Sequence, residues 1–216
     1  MGSKSRRLAV PWGTVLPSRL RFFLSVAALW ASMFGLGLAL DDRTTGPWLL
    51  SAPTLLRLGA LSLPVAEPGD ALRALSSLFL HSDALHLGGN LAALALIVAT
   101  WPFLRMRGLA LLLPVAGCLA ALGSMATYST GLSVGPSGAL CAALTFALCQ
   151  PARWPQRITW LLLAAAFLVG GALSNGDQGA HVAGLLSGLC LGALWRLGLR
   201  PRIGQRLAPH RTPARL

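Results

Sequence analysis

Acidic side chains are scarce in this 216-residue chain: Asp and Glu together number six, against 18 Lys and Arg. Charged residues make up only 11% of the chain, where soluble domains carry roughly 25%, so a solvated globular surface is excluded. Tyrosine occurs once, and lysine once against 17 arginines. The four cysteines, Cys118, Cys141, Cys149 and Cys190, lie inside apolar runs and form no C-x-x-C pair. That excludes a disulfide framework and reads them as small packing residues. No H-E-x-x-H is present, and no ionisable residue stands at the centre of an apolar run. The second absence, with no paired repeats, argues against a transporter. Disorder is excluded because 55% of the residues are hydrophobic.

What is abundant is hydrophobic sequence of membrane-spanning length. The runs predict six helices over residues 20–40, 84–102, 108–128, 135–151, 158–174 and 180–198. The fold class expected is all-α, a polytopic bundle of six transmembrane helices. Residues 1–19 form a basic cytoplasmic segment, 20–198 the membrane domain, and 199–216 a basic cytoplasmic tail that includes His210. The tail suits anionic lipids. A cleaved leader over residues 1–40 is disfavoured, because its apolar run is long and its cleavage signal poor. Residues 47–66, with Pro47, Pro53, Arg57 and Pro64, read as an external segment at the interface and not as a further span.

The net charge of +12 then resolves into two parts. With six spans, the N-terminus, the 103–107 loop, the 151–157 loop and the tail share one side. That side carries fifteen basic residues and no acid; the other carries Arg43, Arg57, Arg73 and all six acids, giving +15 and −3. The positive-inside rule places both termini in the cytoplasm. The charge therefore reports topology, and no nucleic-acid partner is expected. Trp101, Trp154, Trp160 and Trp195 fall near cytoplasmic ends of spans, where an aromatic belt is expected.

Polar residues at the outer ends of spans two, four and six carry the chemistry. His81, His86 and Asn90 lie in LFLHSDALHLGGN, Ser137 in SVGPSGAL, and His181 in NGDQGAHVAGLLSG. These three spans all run inward, so His86, Ser137 and His181 share a depth. Small-residue stripes follow on span four (Ser137, Cys141, Thr145, Cys149) and span six (His181, Gly184, Gly188, Gly192). Facing stripes let the two helices approach closely and bring Ser137 within reach of His181. A serine nucleophile needs such a base, and histidine serves near neutral pH. The Ser137 backbone N–H at a helix start, with the His86 and Asn90 side chains, offers donors for an oxyanion. Pro136 suits a helix start, and Gly135 and Gly138 leave room beside Ser137.

GPSG at 135–138 resembles the G-x-S-G of rhomboid intramembrane serine proteases. His81, His86 and Asn90 resemble that family's second-span pattern, and AHVAGLLSG at 180–188 its sixth-span pattern. The resemblance covers roughly residues 20–198. It implies Ser137 as nucleophile and His181 as base, a dyad without a catalytic acid. It implies His86 and Asn90 as oxyanion donors, with His81 in support, and residues 41–80 as the first external loop, dipping into the outer leaflet. That loop's usual Trp-Arg is represented only by Leu72-Arg73. Asp177, four residues before His181, is not implied as a third catalytic member. The expected activity is endopeptidase cleavage of membrane-anchored proteins in or near a transmembrane segment, at the external (periplasmic) face of the inner membrane, with no cofactor. The small size is similar to that of rhombosortases, which are implied to process C-terminal Gly-Gly-containing anchors; ordinary small rhomboids share the same motifs. The alternatives are an inactive relative that binds transmembrane segments, and a metal site built from His81, Asp83, His86, Asp177 and His181.

Overall fold

The computed structural model describes residues 12–42, 46–65, 68–103, 106–173 and 176–198. The basic stretch 1–11 and the tail 199–216, His210 included, lie outside the described residues. Six long helices follow the six apolar runs: α1 (Trp12–Leu40), α4 (Ala84–Thr100), α5 (Arg107–Thr127), α6 (Ser137–Leu148), α7 (Trp154–Leu173) and α8 (Gln178–Arg196). Between α1 and α4 lie two short helices, α2 (Ala52–Leu58) and α3 (Arg73–Ser76), and a strand, β1 (Leu61–Leu63). A second strand, β2 (Gly131–Ser133), precedes α6 and pairs antiparallel with β1, Leu61 opposite Ser133. By length and hydropathy, three helices qualify outright as membrane spans: Pro17–Leu40 within α1, α5 and α7. The helices α4 and α6 are apolar but shorter, and α8 is diluted by its glycines.

The differences from the expected boundaries have local causes. Helix α1 begins at Trp12, not at residue 20, and runs through Pro17. Arg19 does not end it, because its guanidinium reaches α4 and donates to the carbonyls of Val98 and Ala99 (both 2.7 Å) and of Trp101 (2.8 Å). Helix α6 begins at Ser137, not at 135, because Gly135 is left-handed with φ 101° and Pro136 caps the first turn. It stops at Leu148, ahead of Pro151. The seven-residue α2 cannot cross a bilayer, at about 1.5 Å rise per residue. Trp101 and Trp160 are 2% and 0% exposed, so neither belongs to an aromatic belt. Both fill the core, and the Trp160 indole N–H donates to Thr100. Trp154 and Trp195 remain exposed.

The segment between α1 and α4 is tied down by polar contacts. The Asp41 carboxylate accepts from the Ser51 N–H (2.7 Å) and the Ser51 hydroxyl (2.8 Å). Of Leu72-Arg73, the arginine makes the polar contacts. It donates to the Leu56 carbonyl at 2.8 Å and pairs with Asp70 at 3.3 Å, while Leu72 is 78% exposed. The Gly135 N–H donates to the Ser77 carbonyl at 2.9 Å, which joins this segment to the start of α6.

At the centre lies α6, buried on every face from Ser137 to Ala147. A helix apolar all round is a core helix. It packs against α5, α7, α8 and α4. Contact with α8 is made backbone to backbone. A Cβ at Gly184 would strike the Gly138 carbonyl, and one at Gly188 would strike the Ala142 carbonyl and Thr145. Gly192 lies against Cys149, so α6 and α8 run parallel over their length. The Thr145 hydroxyl closes this interface by donating to the Leu185 carbonyl at 2.8 Å. Gly188→Ala is therefore expected to cost about 1–3 kcal/mol by overpacking. Gly35→Ala, with nothing within 4 Å of its added carbon, is expected to leave the thermal midpoint unchanged or raised. Thermal unfolding of both variants in detergent checks the contrast.

Candidate active site

Parallel packing of α6 and α8 brings Ser137 and His181, 44 residues apart in sequence, together at the same end. The Ser137 Oγ lies 2.9 Å from His181 Nε2, and the two residues are 8% and 5% exposed. His181 rests against the Phe167 ring, centroids 5.7 Å apart, and its Nδ1 is buried without a protein partner. Room for the imidazole comes from Gly171 on α7. A Cβ there would stand 2.9 Å from Nδ1. With Nε2 facing the serine hydroxyl, the pair has the geometry of a nucleophile and its base.

Helix α4 contributes the remaining polar groups. Asp83 caps its first turn, accepting the His86 N–H at 2.8 Å. Asp83 also accepts from the Ser82 hydroxyl at 2.8 Å, and the same Ser82 oxygen lies 3.2 Å from His86 Nδ1. Burial works against the Asp83 charge, but these donors outweigh it and hold the carboxyl below its ordinary range. His86 Nε2 is left facing Gly135, ahead of α6. A Cβ at Gly135 would lie 2.7 Å from that nitrogen and 3.6 Å from Asn90 Nδ2. The Asn90 amide nitrogen is buried with no partner, a donor held ready. All four side chains line one cavity of about 710 Å³. Leu55, Leu132, Val134, Ala166 and Phe167 supply its apolar walls.

The other expected residues fall around this centre. Gly138 does not line the cavity; it lies where α6 meets Ala120 and the Ala180 carbonyl, and serves packing. His81 stands behind His86, wholly buried, its ring 5.3 Å from His86 and 5.5 Å from Trp30. The residues that sequence reasoning missed are polar tethers: Ser82, Ser124 and Ser133. Asp177 caps α8 by accepting the Ala180 N–H at 2.9 Å, and also accepts from the Ser133 hydroxyl at 2.5 Å and from Ser124. Asp83 before Ala84-Leu85-His86 and Asp177 before Gln178-Gly179-Ala180 carry a helix-cap signature that was available in the sequence. The serines carried no such signal.

Comparison with known proteins gives the family. The Rhomboid domain matches residues 68–197. The chain belongs to the rhomboid family. Among curated rhomboids, RHOMBOID-like protein 5 of Arabidopsis thaliana is 34% identical over 76% of this chain and 55% of its own length. RHOMBOID-like protein 2 of Arabidopsis thaliana is 31% identical over 71% of this chain and 51% of its own length. Rhomboid-like protease 5 of Toxoplasma gondii is 29% identical over 62% of this chain and 18% of its own length. The chain thus spans about half the length of the plant rhomboids it matches.

Burial, reinforced by the positive charge of neighbouring His86 and opposed by Asp83, takes His81 from 6.5 down to about 3. The folded rhomboid thus resists a proton that the unfolded chain accepts near its ordinary value. Stability contributed here falls as pH drops from 6.5 toward 3. NMR of the ¹⁵N-labelled histidines is expected to show His81 neutral from about pH 8 down to about pH 5, where an ordinary histidine has titrated.

Proposed function

We propose that this multi-pass membrane protein is an intramembrane serine endopeptidase. Its substrates are membrane-anchored proteins, cut in or near a transmembrane segment. The observation that carries the reading is the 2.9 Å contact between Ser137 Oγ and His181 Nε2, buried among membrane helices yet lining an open cavity. Ser137 Oγ attacks the scissile carbonyl carbon and passes its proton to His181 Nε2. The Ser137 N–H, at the positive end of α6, and the side chains of His86 and Asn90 receive the oxyanion. When the tetrahedral intermediate collapses, the C–N bond breaks and His181 returns the proton to the leaving amine. Water then hydrolyses the acyl-enzyme with His181 again as base. No cofactor enters any step.

The substrate must unwind, since a helical peptide hides its carbonyls. Gly89, Gly170 and Gly171 along the cavity suit a chain of small residues that unwinds easily. A C-terminal Gly-Gly-type anchor is a substrate of that kind, and processing of such anchors is the finer form of this reading. The division of charge into +15 and −3 supports an inner-membrane protein with both termini cytoplasmic and the site open to the periplasm. The segment 20–198 acts as the membrane domain, flanked by basic ends.

Among the described residues, no three His, Cys, Asp or Glu side chains gather as a metal would require. A fluorophosphonate probe on the purified protein tests the reading. The wild type is expected to label at Ser137, Ser137→Ala to lose the label, and His181→Ala to label far more slowly. Asn90→Ala is expected to retain the label with turnover reduced by about 10²–10³. Labelling of Ser137→Ala at another residue would overturn the assignment. Chelator-sensitive cleavage that survives Ser137→Ala would favour the metal alternative, and an unlabelled wild type the inactive relative.

A further inference from the structure

We propose that Asp177 is a positioning residue, a carboxylate clamp that fixes the strand leading to Ser137 against the helix carrying His181. The proposal rests on the serine–histidine reading above. Ser133 stands four residues before Ser137, and Asp177 four residues before His181. The Ser133 hydroxyl donates to Asp177 Oδ2 at 2.5 Å, so the pair forms a rung parallel to the 2.9 Å contact of Ser137 with His181. Ser124 of α5 donates to the same oxygen, and the Ala180 N–H of α8 to Oδ1 at 2.9 Å. One carboxylate thereby joins α5, the end of β2 and the first turn of α8. An ionised carboxylate only accepts, and every partner here is a donor. Ser124 and Ser133 are buried, so these bonds form largely out of water, where charge-assisted bonds are strong.

None of these contacts reaches the His181 ring. Its Nδ1 has no protein partner, so Asp177 is not a third member of a triad. It acts through the chain on both sides. From Ser133 the path to Ser137 is Val134, left-handed Gly135 tied to the Ser77 carbonyl, and the ring of Pro136. That path has little slack. On the other side the His181 N–H donates to the Asp177 carbonyl at 3.2 Å, so the cap sets the height of the histidine. Loss of the clamp lets the two sides slide, and a misalignment of about 1 Å can cost about a hundredfold in rate.

The test is the rate of fluorophosphonate labelling of Ser137 in the full chain, followed against probe concentration. Asp177→Ala and Ser133→Ala are each expected to lower the limiting rate constant by about ten- to a hundredfold, with the half-saturating probe concentration unchanged. The double variant is expected to be no slower than the slower single one, because both changes remove one connection. Asp177→Asn keeps one acceptor oxygen for the Ala180 cap but presents an NH2 where Oδ2 accepted two serines, and is expected to fall between the Ala variant and wild type. Misfolding lowers the fraction labelled, whereas misalignment lowers the rate constant of the fraction that labels. Ser133→Ala leaves the helix cap in place and carries the test if Asp177→Ala does not fold. Single variants at the wild-type rate, or losses that multiply, would overturn the clamp while leaving the dyad intact. A wild type that fails to label would overturn the dyad itself.

Discussion

The contact between the backbones of α6 and α8 is the constraint on which the site depends. Membrane helices gain little by hiding apolar surface from one another, so they associate through close packing. Here Gly184 and Gly188 remove the side chains that would hold α8 away from the carbonyls of Gly138 and Ala142. The distance between two helix axes is thereby set by backbone volume, which thermal motion alters little. Ser137 and His181, mounted on those axes, inherit that rigidity. Gly123 of α5 and Gly179 of α8 repeat the device at the outer end, where a Cβ on Gly179 would meet the Gly123 carbonyl.

Helix ends are the second problem in a bilayer, because unpaired carbonyls find no water there. The protein solves it at the C-terminal ends of α4 and α6 with arginine. Arg19 covers the end of α4, Arg157 donates to the carbonyls of Leu148 and Gln150, and Arg196 to that of Cys149. Basic residues thus close two helices. At helix N-termini aspartate does the same for orphan N–H groups, Asp83 on α4 and Asp177 on α8. Each polar terminus is matched by the sign of charge that its helix dipole favours.

Much of this was legible in the sequence, and the residues explain why. Long apolar runs bounded by arginine gave all six helices, since burial in lipid leaves few other choices for them. Spans two, four and six shared an expected direction, so His86, Ser137 and His181 could be placed at one depth before any geometry was known. The limits have equally local causes. Arg19 looked like a boundary but is a cap, because a guanidinium on a long stem bonds carbonyls 79 residues away. Trp101 and Trp160 looked interfacial but are core, since indole serves both roles. The tethers made by Ser82, Ser124 and Ser133 were invisible, because a serine hydroxyl leaves no periodic trace. Their partners stand out only once the chain has folded.

The twelve residues of α6 have a consequence for water. At about 1.5 Å per residue the helix is about 18 Å long, against a hydrocarbon layer of about 30 Å. Such a mismatch leaves roughly 12 Å of membrane thickness without helix. At the inner end arginines and the Gln150 amide fill the gap. At the other end Ser137 opens onto the cavity it lines with His86, Asn90 and His181. For the proposed hydrolysis water has to reach Ser137, and the short central helix leaves the cavity at that end as the room for it.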